Sequence, residues 1–329
     1  MKRFILFLIA VLCIILLIWQ TDYVEIISGL KNLNPWILFY LISLQILTIF
    51  LVNFQWYKIS DLMNEKVKLR TLFHVNMVGT FVESITPSAK AGGEATKVYL
   101  LKSQAGLSTS KATALVGIQK TFSLAAFLFL NFVSIGWFVI KVGIKSSQLE
   151  ILLFSFIFLF LILILLLTLI LYPRKLGKII KFLPNKRNIR TKVENFIIAF
   201  EKEIKNLLKL NEKLLYQIIL SLFIWILFAY KTYIITKGLN IELSFISSAV
   251  ITYLTYMVGM LPLLPGGIGT FEASMTLFLI PMGISYSKGM LLALILRFVT
   301  FWFVFILSGL YIVLQEILNL IRGDRLAKQ

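Results

Sequence analysis

Cysteine and histidine are almost missing from this chain: of 329 residues one is cysteine, Cys13, and one is histidine, His74. So few of either exclude a disulfide framework and the Cys/His clusters that hold metals. Acidic residues are scarce too, 15 Asp and Glu against 33 Lys and Arg, for a formal charge of +18. No Gly-Lys-Ser/Thr follows the glycine-rich stretches, so a nucleotide-binding phosphate loop is not expected. No small-residue cleavage site follows the first apolar run, only Gln20-Thr21-Asp22. The basic start Met1-Lys2-Arg3 and the run after it therefore read as an uncleaved first helix.

What abounds is apolar. Hydrophobic residues make up 59% of the chain, in runs reaching the roughly 20 residues that cross a bilayer. The fold class that follows is an all-α polytopic membrane protein. Full spans are predicted at 4–21, 36–57, 109–140, 149–172, 214–236 and 286–316. Two stretches, 71–86 and 246–264, are shorter and run through proline into glycine-rich sequence. They read as the entering arms of re-entrant hairpins at 71–103 and 246–282. Such backbone survives at membrane depth only when buried in protein or lining a wet cavity. Two ordinary spans with tight turns are the alternative.

In a soluble protein the positive charge would suggest nucleic acid. Here it reads as membrane orientation, with no nucleic-acid partner. With both termini cytoplasmic, the inner segments 1–3, 58–70, 173–213 and 317–329 hold 21 Lys and Arg, and the outer loops only Lys31, Lys141, Lys145 and Lys237. That obeys the positive-inside rule and suits a cytoplasmic membrane. The loop 173–213 carries 12 Lys and Arg against 4 Asp and Glu. Helical spacing within it predicts an amphipathic helix on the anionic inner leaflet, the alternative being a basic loop that only sets topology.

One segment occurs twice. Pro87, Gly92-Gly93, Glu94, Gly106-Leu107-Ser108-Thr109-Ser110-Lys111 and Lys120 are echoed by Pro265, Gly266-Gly267, Gly269, Glu272, Gly283-Ile284-Ser285-Tyr286-Ser287-Lys288 and Arg297. Proline to glutamate is seven residues in both copies, and Gly106 to Lys120 matches Gly283 to Arg297 at fourteen. Each half, 1–145 and 146–316, reads span, span, hairpin, span. One starts inside and the other outside, so the repeat is inverted, the organisation of many transporters. The stretch 317–329 is a cytoplasmic tail.

Glu94 and Glu272 are costly at membrane depth unless paired or hydrated. Lys97 lies one helical turn from Glu94, and Lys120 and Arg297 sit within long apolar helices. A network of these five is expected, either pinning hairpins to spans or lining a polar cavity for a charged head group. Gly92, Gly93, Gly266, Gly267 and Gly269 permit positive φ or close approach, and Pro87 and Pro265 end the half-helices. Helix N-termini near Ala95 and Phe271 would favour phosphate; close helix packing is the other reading of the glycines. His74 is assigned no role. Asn53 and Gln55, near the end of a span, could face the cavity. No metal or cofactor is called for.

The motifs Pro87, Ala91-Gly92-Gly93-Glu94, Lys97 and Leu101, then Pro265 to Glu272 and Arg297, resemble the membrane region of lysylphosphatidylglycerol synthases, also found alone as a flippase-like family. The resemblance covers nearly the whole chain. It implies a lipid-flipping membrane domain, which in bifunctional members is joined to an aminoacyl-transferase domain. No transferase domain is present up to Gln329, so lysyl transfer is not implied here. The expectation is a translocase that moves a phospholipid or glycolipid head group through a cavity between the halves. Glu94, Lys97, Lys120, Glu272 and Arg297 would contact that head group. The alternatives are the membrane component of an aminoacyl or glycosyl transferase acting on lipid, and a partner subunit that docks a separate soluble transferase.

Overall fold

In the computed structural model the described residues are 33–86, 91–143, 146–173, 189–208 and 211–326, with the isolated residues 28 and 31. They are helical, with no strand among them. Four long helices are α1 (Pro35–Leu62), α4 (Thr109–Lys141), α5 (Ser146–Leu171) and α7 (Asn211–Gly238). At 28, 33, 26 and 28 residues and about 1.5 Å per residue, each is long enough to cross a bilayer. A fifth crossing joins α10 (Tyr286–Arg297), a π-helical turn at Phe298–Trp302, and α11 (Phe303–Leu326). Five of the six predicted spans are thus found, within a few residues of their expected ends; the sixth, 4–21, lies outside the described residues. Phe154, Ile157, Leu161 and Leu165 of α5 all face outward, as suits a helix solvated by lipid. The chain is a multi-pass membrane protein.

Between these crossings sit two helical hairpins. In the first, α2 (Leu69–Ile85) turns into α3 (Ala91–Ala105); in the second, α8 (Phe245–Gly259) turns into α9 (Thr270–Leu279). Their arms have 17, 15, 15 and 10 residues, at most ~26 Å, short of the ~30 Å hydrocarbon core. In the first hairpin Gln104 meets His74 near one end and Lys97 meets Gly79 further along, so the arms run antiparallel. His74 also bonds Tyr311 at 3.2 Å, tying this hairpin to α11.

The duplicated sequence now has a local explanation. Gly106 and Gly283 adopt positive φ, 69° and 80°, where each hairpin ends. Ser108 and Ser285 then cap α4 and α10, each accepting from the backbone N–H three residues on, Lys111 and Lys288. A further repeat appears at Asn64 (φ 57°) and Asn240 (φ 51°). In both turns the Asn N–H bonds the carbonyl three residues back, the next N–H bonds the carbonyl five back, and that next residue's own carbonyl accepts from two on.

Packing interlocks the halves. The second arm of each hairpin packs on its own following helix, α3 on α4 and α9 on α10, while the first arm packs on the last helix of the other half, α2 on α11 and α8 on α4. The helix expected on the inner leaflet, α6 (Ile189–Leu208), buries Phe200, Ile204 and Leu207 in a core shared with α3 and α4. Those three side chains are covered by protein, while Ile198 on the same helix is exposed. The remainder of 173–213 lies mostly outside the described residues.

Candidate functional site

The five expected residues form two clusters, one per half. In the first, Glu94 stands in the opening turn of α3. Its Oε1 lies 3.1 Å from Lys120 Nζ on α4 and 3.4 Å from Lys97 Nζ. Lys97 also lies 3.9 Å from Glu83 Oε2 at the end of α2 and over the Trp56 ring. Glu94 Oε2 is buried with no hydrogen-bond partner among the described residues. Lys97 passes so close to Gly79 that a Cβ there would meet its stem. Gly92 and Gly93 are helical, not of positive φ; a Cβ at Gly93 would stand 2.6 Å from the Gly79 carbonyl. They serve close approach of the two arms. Pro87 lies outside the described residues.

In the second cluster Arg297 lies 3.4 Å from Glu272 Oε1, without hydrogen-bond geometry at Nε. Its Nη2 donates to the Gly266 carbonyl, and Phe271 and Phe301 sandwich the guanidinium. Both partners are nearly enclosed, Glu272 at 3% and Arg297 at 6% exposure. Glu272 Oε2 accepts from the Gly269 N–H at 2.7 Å, the carboxylate half of a capping box, since a glycine N-cap has no side chain to make the return bond. The protein's own carboxylate thus takes the N-cap N–H of α9, the helix start at which an anion was expected. Gly266, Gly267 and Gly269 all adopt positive φ, and Pro265 opens the short turn that precedes α9.

A cavity of about 210 Å³ lies where the two hairpins meet. Thr80, Glu83, Ser84 and Thr86 of the first hairpin form one side; the tip from Gly259 to Gly267 forms another. Trp225 and Phe228 of α7, Tyr256 of α8, Phe271 of α9, and Arg297, Thr300, Phe301 and Val304 complete it. Of the expected charged residues only Arg297 lines the cavity. Glu94, Lys97, Lys120 and Glu272 stand behind it, and Glu83 is the carboxylate on its wall. The π turn carries Thr300 and Phe301 to the wall, where Tyr256 donates to Thr300 at 2.8 Å; π turns inside α-helices cluster at functional sites. Trp225, Phe228 and Tyr256 escaped sequence reasoning because an aromatic on an apolar helix gives no sign of which face it occupies. Asn53 and Gln55 do not line the cavity; they bond Asn76 and Ser221 between helices. Among the described residues no group of three His, Cys, Asp or Glu could hold a metal.

The sequence profile described as "Lysylphosphatidylglycerol synthase TM region" matches residues 3–308. A UPF0104 membrane protein of Methanothermobacter thermautotrophicus is 26% identical over 316 residues, covering 92% of each chain. One from Pyrococcus horikoshii is 24% identical, over 95% of this chain and 97% of its own. One from Methanocaldococcus jannaschii is 27% identical, over 84% of both.

Proposed function

The chain belongs to the lysylphosphatidylglycerol synthase transmembrane-region family, and from that premise we propose that it is a lipid translocase. The observation that carries this is the cavity between the two hairpins. It places a guanidinium, a carboxylate, hydroxyls and aromatic faces inside a bundle otherwise dressed for lipid. A polar head group would enter it while the acyl chains stay in the bilayer. The halves act as inverted repeats: equivalent helices α1 and α7 cross antiparallel, and each hairpin grips the other half's last helix. Rocking of one half against the other would open the cavity to each leaflet in turn. The Glu94–Lys120 and Glu272–Arg297 pairs hold the hairpins to the moving helices. The termini are cytoplasmic on this reading, by the charge bias of the loops.

The test is inversion of head-group-labelled phosphatidylglycerol, its lysyl ester and a polyprenyl-phosphate sugar in liposomes holding the purified protein. Head-group-selective inversion, weakened in Glu94→Gln, supports the translocase. Absence of inversion for all three, in folded protein, rejects it. The family's name favours a second reading, the membrane component of a lipid-modifying transferase, and co-purification of a soluble aminoacyl or glycosyl transferase would support that one.

A further inference from the structure

Helices α1 and α7 carry the same contact twice. Gln55 Nε2 donates to Ser221 Oγ at 2.7 Å, and Lys231 Nζ donates to Gln45 Oε1. Residue 231 follows 55 by 176 positions and 221 follows 45 by 176, the offset that also relates Asn64 to Asn240. The two bonds are one isologous contact seen from its two sides. On one side the donor is a neutral amide; on the other it is a lysine with 0% exposure. The helix crossing needs a donor at this position and does not need a charge.

Lys231 has no carboxylate partner among the described residues. Its Nζ also donates to Thr48 Oγ1 at 3.2 Å and stands 4.0 Å over the Phe228 ring. Two acceptors suit the two N–H bonds of a neutral amine; the third N–H of an ammonium would have only the ring face. The titratable groups on the helices packed against α7 are accounted for elsewhere. Lys120 of α4 pairs with Glu94, Lys111 with Glu65 and Arg297 of α10 with Glu272. The phenol of Tyr256 on α8 bonds Thr300, and Tyr40 of α1 bonds Tyr230. Tyr253 of α8 is buried. Tyr57, Lys58 and Asp61, Lys141, and Tyr286 and Lys288 lie toward the ends of α1, α4 and α10, as Tyr216, and Lys237 over the Tyr233 ring, do on α7 itself. Phe228, one turn before Lys231, lines the cavity, so the amine sits directly behind the cavity wall.

We infer that Lys231 is a proton-binding site linked to an anionic head group: neutral while the cavity is empty, an ammonium when a phosphodiester enters. The inference rests on the translocase reading of that cavity. An uncompensated charge in a low-dielectric interior is costly. Among the described residues, Glu83 and Glu94 are set against Lys97 and Lys120, and Glu272 against Arg297. The single negative charge of a phosphodiester would be the unbalanced one, and a proton taken up by the amine balances it. Lipid and proton then promote each other's binding reciprocally, and the head group crosses with its proton as a neutral pair. A zwitterionic head group needs no such partner.

The test counts protons. Purified protein in detergent is titrated calorimetrically with dihexanoyl phosphatidylglycerol, over a pH series, in two buffers of different ionisation enthalpy. About one proton is taken up per lipid at the alkaline end, and none with dihexanoyl phosphatidylcholine. Uptake vanishes in Lys231→Gln, which restores the side chain found at Gln55, and in Lys231→Arg, which stays charged; unchanged unfolding temperatures show that both variants fold. Phosphatidylglycerol that fails to bind, wild-type binding without uptake, or uptake that persists in Lys231→Gln overturns the inference. Inversion in liposomes separates the two ideas. Proton-linked binding without inversion rejects the translocase and leaves the proton site standing; inversion without proton uptake rejects the proton site alone.

Discussion

Arg297 Nε lies 3.4 Å from Glu272 Oε1 while its Nη2 donates to the Gly266 carbonyl, so one guanidinium holds both the tip of the second hairpin and the first turn of its second arm. The span from residue 297 back to 266 is bridged at membrane depth with both charges enclosed. Removing one partner strands the other. Arg297→Met is expected to cost about 3–5 kcal/mol, and Glu272→Gln a comparable amount. The double variant Glu272→Gln/Arg297→Met loses less than the sum of the two. Denaturant unfolding in detergent gives all three values, and strict additivity would sink the coupling.

Two glycines of positive φ separate backbone strain from crowding. Gly106 has φ 69° and open space where a Cβ would stand, while at Gly267, φ 68°, that Cβ would meet the Gly259 carbonyl. Gly106→Ala should cost only the left-handed penalty, about 1–2 kcal/mol. Gly267→Ala should cost that and a displaced hairpin tip as well. Thermal unfolding ranks them, and an equal loss would show that the tip yields freely.

The caps offer a check on the repeat. Ser108 and Ser285 accept from Lys111 and Lys288 at the same distance, 3.3 Å. Ser108→Ala and Ser285→Ala should each destabilise by about 1 kcal/mol. Clearly unequal losses in matched unfolding experiments would mean that the two starts are not equivalent.

Ser84 lines the cavity from the first hairpin. Ser84→Trp adds an indole to a space of about 210 Å³, so lipid inversion should fall at least tenfold while the unfolding temperature stays near the parent's. Full inversion in a folded Ser84→Trp protein would place the head-group path elsewhere.

Much of the site could be read from residue order. Pro87–Glu94 and Pro265–Glu272 marked the hairpins because glycine and proline act locally, through φ and a missing donor. Glu94 with Lys120, and Glu272 with Arg297, could be paired in advance because ions at membrane depth must find partners. The roles of the glycines split in a way that residue type could not show: Gly93 admits Gly79 and Glu83, while Gly267 needs its positive φ. The Asn64 and Asn240 turns went unseen because a polar residue after a span is common and its φ is not written in its type.

Composition, apolar run length and the spacing of the duplicated motif determined by themselves a polytopic helical bundle with two interrupted hairpins. Those are local or additive properties of a chain that must satisfy its backbone within lipid. Only the tertiary structure decided which charges face the cavity and which brace it from behind. It also decided that Lys231 stands behind Phe228 opposite Gln45 and Thr48. Those outcomes depend on the rotation of each helix about its axis. In an all-apolar helix no amphipathic stripe fixes that rotation, so the packing of neighbouring helices sets it.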